Sequence, residues 1–207
     1  MARPSNTDER RAQIVAALMR VMAVHGYEGA TVARVAREAG LASGLVHYHF
    51  ASKADILVAL VDGIAGRAAA RIAGRLEQAE TPAGRVEAVI DAMLARGGDE
   101  NLDAVRCWSL IGAEAVKNAD VRRLYGRFVT SLTERLSALL VDACHEAGRS
   151  ARDVEPVAVA LVAMIEGYFA LAAAVPRIVP IGSAAAMARA AVRGFVAAQP
   201  SLRRRSA

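Results

Sequence analysis

The residues best suited to binding chemistry lie between Ala30 and Lys53. Two small residues, Ser43 and Gly44, precede the aromatic and polar run HYHF, which ends at Phe50. Hydroxyl and imidazole groups can hydrogen-bond to phosphates and base edges, and an apolar side chain can contact a thymine methyl group. A short helix with these side chains suits insertion into a DNA major groove. The candidate contacts are Ser43, Gly44, Leu45, His47, Tyr48 and His49.

Two short helices joined by a tight turn are predicted to position these residues. Thr31 is a good N-cap for the first helix, since its hydroxyl can accept a free backbone N–H. Gly40 is predicted to end that helix, because a left-handed conformation costs glycine no Cβ clash. The second helix is predicted to begin at Ser43 or Ala42 and to reach about Phe50. The apolar residues at helical spacing are Val32, Val35, Ala36 and Ala39 in the first helix and Val46 and Phe50 in the second.

His47 and His49 stand two positions apart, which raises the alternative of a metal site. Residues two apart on a helix point to different faces, so this pair cannot easily chelate one ion. No further His or Cys stands nearby at a useful spacing. We therefore expect neither a metal nor a cofactor.

The 207-residue chain as a whole is predicted to be all-α. Hydrophobic residues make up 55% and aromatic residues 4%, and no two-residue alternation persists long enough to indicate a strand. We expect about nine helices. Their approximate predicted bounds are residues 8–24, 32–39, 43–50, 53–77, 82–95, 102–117, 120–147, 153–175 and 183–199.

Capping signals mark several of these predicted helix starts. Ser52, Asp120 and Ser183 are predicted to cap the fourth, seventh and ninth helices, and Thr81-Pro82 begins the fifth. The fourth helix would span roughly 35–40 Å at 1.5 Å per residue. It would join the first three helices to the rest of the chain.

The net charge of +5 is unevenly distributed. Residues 1–53 carry seven basic and four acidic residues, and Arg203, Arg204 and Arg205 form a basic tail. Residues 54–202 are nearly balanced, with sixteen basic and seventeen acidic residues. A basic end on a near-neutral body suits a DNA-binding domain attached to a domain with another role.

The two cysteines, Cys107 and Cys144, show no CxxC spacing, which fits a reducing compartment. The N-terminal run MARPSNTDERR lacks the apolar segment of a signal peptide. We expect a cytoplasmic protein.

The run YEGATVARVAREAGLASGLVHYHFASKADIL resembles the N-terminal helix-turn-helix of TetR-family transcriptional regulators, over about residues 14–60. The resemblance implies a DNA-binding domain over residues 1–53, a ligand-binding and dimerisation domain over 54–202, and a basic tail over 203–207. It also implies that Thr31 and Lys53 contact phosphates from either side of the recognition helix. Two residues depart from the family pattern: Ala42 replaces a usual Ser, which shifts the predicted cap to Ser43, and His47 replaces a frequent Tyr.

The C-terminal part resembles the branch that includes choline-responsive regulators, through Trp108, Glu114 and the RRLY run. The resemblance implies a small-molecule effector, and large apolar, aromatic and acidic residues could hold an apolar or cationic one. The same side chains could instead be ordinary core packing. The candidate effector-binding residues are Met93, Cys107, Trp108, Ile111, Tyr125, Phe128, Met164, Glu166 and Tyr168.

The last two predicted helices are rich in small residues that permit close helix approach. The resemblance implies that they pair with their copies in a homodimer, and intramolecular core is the alternative. Dimerisation also has a physical argument, because one short recognition helix reads few bases and a two-fold dimer reads two half-sites. The apolar run from Val157 to Val175 is nearly long enough to span a membrane, but Glu166 at its centre would cost about 2.5–3.5 kcal/mol there. We therefore expect no membrane insertion, and Glu166 to be paired at an interface or to line a pocket.

The function that these patterns favour is a homodimeric repressor of a palindromic operator, released when a small molecule tilts the fourth helix. An activator, or a DNA-binding regulator controlled by a protein partner, is an alternative. An all-helical enzyme is the alternative of another class. The sequence shows no nucleophile elbow, phosphate loop, metal-ligand set or paired carboxylates in a Gly-rich context, so no catalytic residue is predicted.

Overall fold

The computed structural model describes residues 6–95, 102–175, 177–180 and 182–202. Within those ranges the chain forms nine α-helices and no strand beyond one isolated bridge between Arg149 and Ser201. This architecture confirms the all-α prediction. The helices are α1 (Asn6–Gly29), α2 (Val32–Ala39), α3 (Ser43–His49), α4 (Lys53–Leu76), α5 (Pro82–Leu94), α6 (Leu102–Ala115), α7 (Ala119–Glu146), α8 (Val154–Ala174) and α9 (Ser183–Ala198).

The chain folds as two compact units. The first comprises Met1–Gly66 and Asn101–Gly126, and the second comprises Arg67–Glu100 and Arg127–Ala207. Helices α4 and α7 each run from one unit into the other. The functional domains expected at residues 1–53 and 54–202 stay a prediction, because a compact unit is defined by contacts and a functional domain by activity.

In the first unit, α1 packs against α2, α3 and α6. The apolar residues of α1 that recur at helical spacing are buried, which explains this packing. Burial of a large aliphatic side chain stabilises a fold by about 1.5–3 kcal/mol. The buried side chains of this unit include Ile14, Leu18, Val21, Met22, Val35, Val46, Phe50, Ile56, Leu57, Leu60 and Ile111.

Local capping signals account for several helix ends. Thr31 Oγ1 accepts the Arg34 N–H at 3.3 Å, and Thr81 Oγ1 accepts the Gly84 N–H at 3.0 Å. Ser52 Oγ accepts the N–H of Asp55 at 3.2 Å, as predicted. Gly40 ends α2 with φ 67°, the left-handed conformation expected of it.

The end of α1 agrees with prediction only in part. Gly26 has φ 66° and ψ 177°, so regular helix stops there, close to the predicted end at residue 24. A further turn of helix nevertheless continues to Gly29. The predicted tail Arg203–Arg205 lies outside the described residues.

Three predicted caps are wrong. Ala42, with no side-chain hydrogen bond, occupies the N-cap of α3, and Ser43 is already the first helical residue. Asn118 caps α7, since its Oδ1 accepts the N–H of Asp120 at 3.0 Å. Gly182 begins α9 with φ 77°, while Ser183 Oγ donates to the Pro180 carbonyl at 2.7 Å. In the last two cases a residue one or two positions earlier is also a good N-cap type, and offsets of this size are not resolved by sequence.

In the second unit, α5 packs against α8 and α9 around a buried apolar cluster. Polar contacts fasten this packing. Arg189 pairs with Asp91, and Arg193 pairs with Glu87 at 2.7 Å, so two ion pairs join α9 to α5. Arg71 Nε donates to the Ala92 carbonyl at 3.2 Å, which satisfies a carbonyl near the end of α5.

Candidate nucleic-acid interface and effector residues

Helix α3 presents one apolar face to the interior and one polar face to solvent. Val46 is 1% exposed and Phe50, at its C-cap, is 4% exposed. Tyr48, by contrast, is 79% exposed. Ser43, Gly44, Leu45 and His47 are also exposed, and His49 is half-buried against the Tyr48 ring. The structure therefore places every predicted recognition residue where a DNA groove could reach it.

Polar side chains of α1 fix α2 and α3. The Arg11 guanidinium donates to the His49 carbonyl and lies 4.0 Å from the centre of the Phe50 ring. Gln13 Nε2 donates to the Ala39 carbonyl at 2.6 Å. Both bonds satisfy carbonyls at helix C-termini, which have no partner within the helix. No spacing rule could indicate these contacts, because the partner residues are 38 and 26 positions apart in the chain.

The two predicted phosphate contacts lie beside one short segment, Tyr27–Thr31. Thr31 is exposed at the start of α2. Lys53 Nζ donates to the Tyr27 carbonyl at 2.9 Å and lies 4.0 Å from the centre of the Tyr27 ring. An ammonium group has three protons, so this bond leaves donors for a further acceptor.

Two exposed arginines of α2 were missed by sequence reasoning. Arg34 NH1 donates to the Gly29 carbonyl at 2.8 Å, close to Thr31. The Arg37 side chain is exposed. Their spacing of three puts them on one face of the helix, a signal that was available from the sequence. They add positive charge beside the predicted phosphate contacts.

Four of the candidate effector residues belong to the first unit. The Trp108 and Tyr125 rings have centroids 5.2 Å apart, with an interplanar angle of 38°. A Cβ at Gly112 would lie 3.4 Å from the Tyr125 hydroxyl, so Tyr125 packs closely against a helix position that lacks a side chain. Cys107 and Ile111 are fully buried on the same helix. Burial, and then the charge of Asp103, raises the pKa of the Cys107 thiol to about 12, so this thiol stays neutral.

The other five candidates belong to the second unit. Met93 is buried in its apolar cluster, and Phe128, Met164 and Tyr168 are half-buried against that cluster. Glu166 is half-buried on α8. The structure thus brings the candidates together as two groups, one in each unit, and each group includes aromatic rings.

Much of the apolar surface of helix α8 is not buried by other residues of the same chain. By length and composition alone it passes as a membrane-spanning helix, a test that core helices of soluble proteins also pass. Only 28% of its most apolar window is buried. Val159 and Leu171 on α8 are 54% and 42% exposed, and Met187 on α9 is 55% exposed. In the described ranges, no three His, Cys, Asp or Glu residues lie close enough to hold a metal ion.

Comparison with known families now bears on this arrangement. Residues 14–60 match the family model described as bacterial regulatory proteins, tetR family. Residues 82–197 match the model described as BetI-type transcriptional repressor, C-terminal. The chain belongs to the TetR family. It is therefore a helix-turn-helix transcriptional regulator with a BetI-type C-terminal part, and not an enzyme.

Several curated relatives agree with this assignment. The HTH-type transcriptional regulator BetI of Rhizobium meliloti is 30% identical over 160 residues, covering 77% of this chain and 76% of that protein. The BetI regulator of Brucella suis (strain ATCC 23445 / NCTC 10510) is 28% identical over 195 residues, covering 93% and 92%. Regulators of this family bind operator DNA and act as dimers.

Solved structures share the fold. A putative transcriptional regulator from Pseudomonas aeruginosa PAO1 aligns with a TM-score of 0.82 and 20% identity, covering 94% of this chain and 93% of that one. A putative regulator from Saccharomonospora viridis, solved in complex with choline, aligns with a TM-score of 0.76 and 22% identity, covering 92% and 97%. At these identities the likeness concerns the fold alone.

Proposed function

We propose that this TetR-family protein is a cytoplasmic, homodimeric repressor that binds a palindromic operator through α3 and leaves it when a small molecule binds. The observation that carries the proposal is the division of α3 into a buried apolar face and an exposed polar face, on which Tyr48 is 79% exposed. A recognition helix needs this division, because one face must hold the helix to its domain while the other enters the groove.

The proposed contacts have two roles. Leu45, His47 and Tyr48 would face base edges, and Ser43, Gly44 and His49 would lie along the groove. Thr31 and Lys53 would bind phosphates beside the recognition helix, with Arg34 and Arg37 adding positive charge. Phosphate contacts set the register of the protein on DNA, and base contacts specify the sequence.

The proposed dimer interface is the apolar surface of α8 and α9, defined by Val159, Leu171 and Met187. These side chains are about half exposed in one copy. An exposed apolar surface of this kind is typical of protein interfaces, and a two-fold axis would place the same surface on both copies. The two ion pairs between α5 and α9 hold one of the two helices in place.

The proposed effector is a small apolar or cationic molecule, with quaternary ammonium compounds as the leading class. Two findings support this class: the BetI-type C-terminal match, and the choline bound by a fold neighbour. Trp108 and Tyr125 offer adjacent aromatic faces, which attract cations. Effector binding would tilt α4, and release needs only a differential affinity of a few kcal/mol between the two states.

The test of DNA binding is fluorescence anisotropy on DNA that the purified protein has itself selected from a random pool, across a salt series. We expect Tyr48→Ala to cost about 1–3 kcal/mol on the selected site and to relax its specificity. Lys53→Ala and Arg37→Ala should each weaken all sequences alike and lower the salt slope by about one. Arg135→Ala, an exposed arginine on α7, is the matched control and should change nothing.

Two outcomes would contradict the proposal. If selection enriched no DNA sequence, the claim that the protein binds a specific operator would be wrong. If Tyr48→Ala kept the sequence specificity of the unmodified protein, the claim that α3 is the recognition helix would be wrong. The dimer interface has its own test: Leu171→Glu should give monomers in sedimentation velocity and lose palindromic binding. Val24→Glu, a charge placed on an exposed apolar residue of α1, should remain dimeric.

A further inference from the structure

The ammonium of Lys53 is held at two points by one residue. Its Nζ donates to the Tyr27 carbonyl at 2.9 Å and lies 4.0 Å from the centre of the Tyr27 ring. The hydrogen bond fixes a distance, and the ring face fixes a direction of approach. Lys53 is the first residue of α4, and Tyr27 lies near the end of α1, 26 residues earlier.

The carbonyl that accepts this bond is itself fixed by the chain around it. It also accepts the Ala30 N–H at 3.1 Å, in the turn that leads to Thr31. The positive φ of Gly26 sets the direction of the chain just before Tyr27. The Lys53 ammonium is therefore tied to the same turn that carries Thr31, the other proposed phosphate contact.

The Tyr27 ring remains a neutral phenol at physiological pH. Burial, followed by the negative charges of Glu114 and Glu28, raises the pKa of the Tyr27 hydroxyl above its ordinary value. Lys53 consequently faces a neutral aromatic ring and not a phenolate. The contact is a cation–π interaction, which strengthens as the cation is desolvated.

A lysine on a flexible four-carbon stem normally loses much rotamer entropy when it binds a phosphate. A lysine already held in place by a ring and a carbonyl has lost part of that entropy on folding. Its remaining donor capacity can then bind an acceptor at little further entropic cost.

We propose that Tyr27 is a positioning residue for DNA binding, which holds the Lys53 ammonium in the orientation that reaches a backbone phosphate. Tyr27 acts through Lys53 and touches no DNA. This inference rests on the proposed DNA-binding function, and in particular on the Lys53 phosphate contact.

A double-mutant cycle tests the inference on the full-length protein and its selected DNA. Tyr27→Leu removes the ring face and keeps the backbone carbonyl, while Tyr27→Phe keeps both. We expect Tyr27→Leu to raise Kd about 3- to 10-fold and to lower the salt slope, and Tyr27→Phe to stay within about twofold of the unmodified protein. In a Lys53→Ala background, Tyr27→Leu should change Kd less than about twofold.

If Tyr27→Leu raised Kd by the same factor in the unmodified protein and in the Lys53→Ala variant, the inference would be overturned. Tyr27 would then act through the stability of the fold and not through Lys53. A Lys53→Ala variant that binds as well as the unmodified protein would instead overturn the phosphate contact, and with it this inference. The two failures are thus distinguishable. Failure of the proposal that α3 recognises DNA would be detected as an unchanged sequence specificity in Tyr48→Ala, which this cycle does not measure.

Tyr27→Leu can destabilise the unit, so a second measurement uses the unmodified protein. A group 4.0 Å above a ring centre lies in the shielding region of that ring. The ε-methylene protons of Lys53 should therefore resonate upfield of those of Lys117, the other lysine of the chain, in an NMR spectrum with selectively labelled lysine. Identical shifts for the two lysines would overturn the inference without any substitution.

Discussion

Trp108 and Tyr125 join α6 to the start of α7, with ring centroids 5.2 Å apart and planes inclined at 38°. Trp108 is 3% exposed, and Tyr125 is half-buried. Both residues belong to the compact unit that contains the recognition helix α3. The aromatic faces proposed for the effector thus lie in the same unit as the proposed DNA contacts.

Trp108 is the only tryptophan in the sequence, so its fluorescence reports on this ring pair alone. We expect choline to change the intensity or wavelength of Trp108 emission in a saturable way. The neutral isostere 3,3-dimethyl-1-butanol should bind more weakly, because it lacks the charge that the ring quadrupole attracts. If the alcohol changed the Trp108 emission in a saturable way and bound with the same affinity as choline, the site would be an apolar site and not a cation site.

A companion variant separates effector binding from DNA binding. Trp108→Leu keeps an apolar side chain at this buried position but removes the aromatic face. We expect operator affinity within a few-fold of the unmodified protein and a loss of choline-induced release in the anisotropy assay. Full release of the variant by choline would place the cation elsewhere in the chain.

The two ion pairs between α5 and α9 differ in burial, and we expect their removal to differ accordingly. The Asp91 and Arg189 side chains are 23% and 28% exposed, whereas those of Glu87 and Arg193 are 35% and 61% exposed. Asp91→Ala should lower the free energy of unfolding by about 1–3 kcal/mol, since it leaves a partly buried guanidinium unpaired. Glu87→Ala should cost at most about 1 kcal/mol. Urea unfolding at fixed protein concentration measures both, and a larger loss from Glu87→Ala would contradict this ranking.

The uncapped start of α3 predicts a stabilising substitution. Ala42 has φ −70° and ψ 143°, the extended geometry of an N-cap, but has no side-chain acceptor for the first-turn N–H groups. Ala42→Ser should supply one and raise the free energy of unfolding by about 0.5–1 kcal/mol. Thr31→Ala, which removes the cap of α2, should have the opposite sign. Thermal unfolding of the two variants measures both, and a decrease in Ala42→Ser would mean that the hydroxyl is held away from the helix.

The buried Cys107 thiol predicts a loss of stability at alkaline pH. Its pKa is raised to about 12 in the folded chain, from an ordinary value of 9.0. Between those values the folded state keeps a proton that the unfolded state releases, so stability is fully present below pH 9 and falls as pH rises toward 12. The slope from this group approaches about 1.4 kcal/mol per pH unit.

Cys107→Ala should flatten this dependence when urea unfolding is compared at pH 8, 9, 10 and 10.5. The variant should also be less stable at pH 8, because a buried side chain is truncated. The comparison of slopes separates the two effects, since the truncation cost does not depend on pH. Parallel slopes would show that the thiol ionises equally in both states.

Much of the fold followed from local signals. Thr31, Gly40, Ser52 and Thr81 mark helix ends through bonds and conformations that involve only the next few residues, so their positions could be predicted. The division of α3 into an inner and an outer face also followed from helical spacing, because Val46 and Phe50 lie four residues apart. The family match over residues 14–60 confirmed the family resemblance of this segment.

Other features depended on contacts between residues far apart in sequence. Arg11 donates a hydrogen bond to the His49 carbonyl, 38 residues away. Lys53 donates one to the Tyr27 carbonyl, 26 residues away. Neither pair shares a helix face or a turn, so no spacing rule could indicate it. Competition between neighbouring N-cap candidates also made a prediction wrong, because Asn118 and not Asp120 caps the start of α7.

The sequence by itself determined which residues form helices and which side chains of α3 face outward, because both follow from periodicity and capping over a few residues. The tertiary structure decided that α1 fastens α2 and α3, that Tyr27 seats Lys53, and that Trp108 meets Tyr125. Each of these relationships arises only when helices pack, since packing brings together side chains that the chain itself keeps apart.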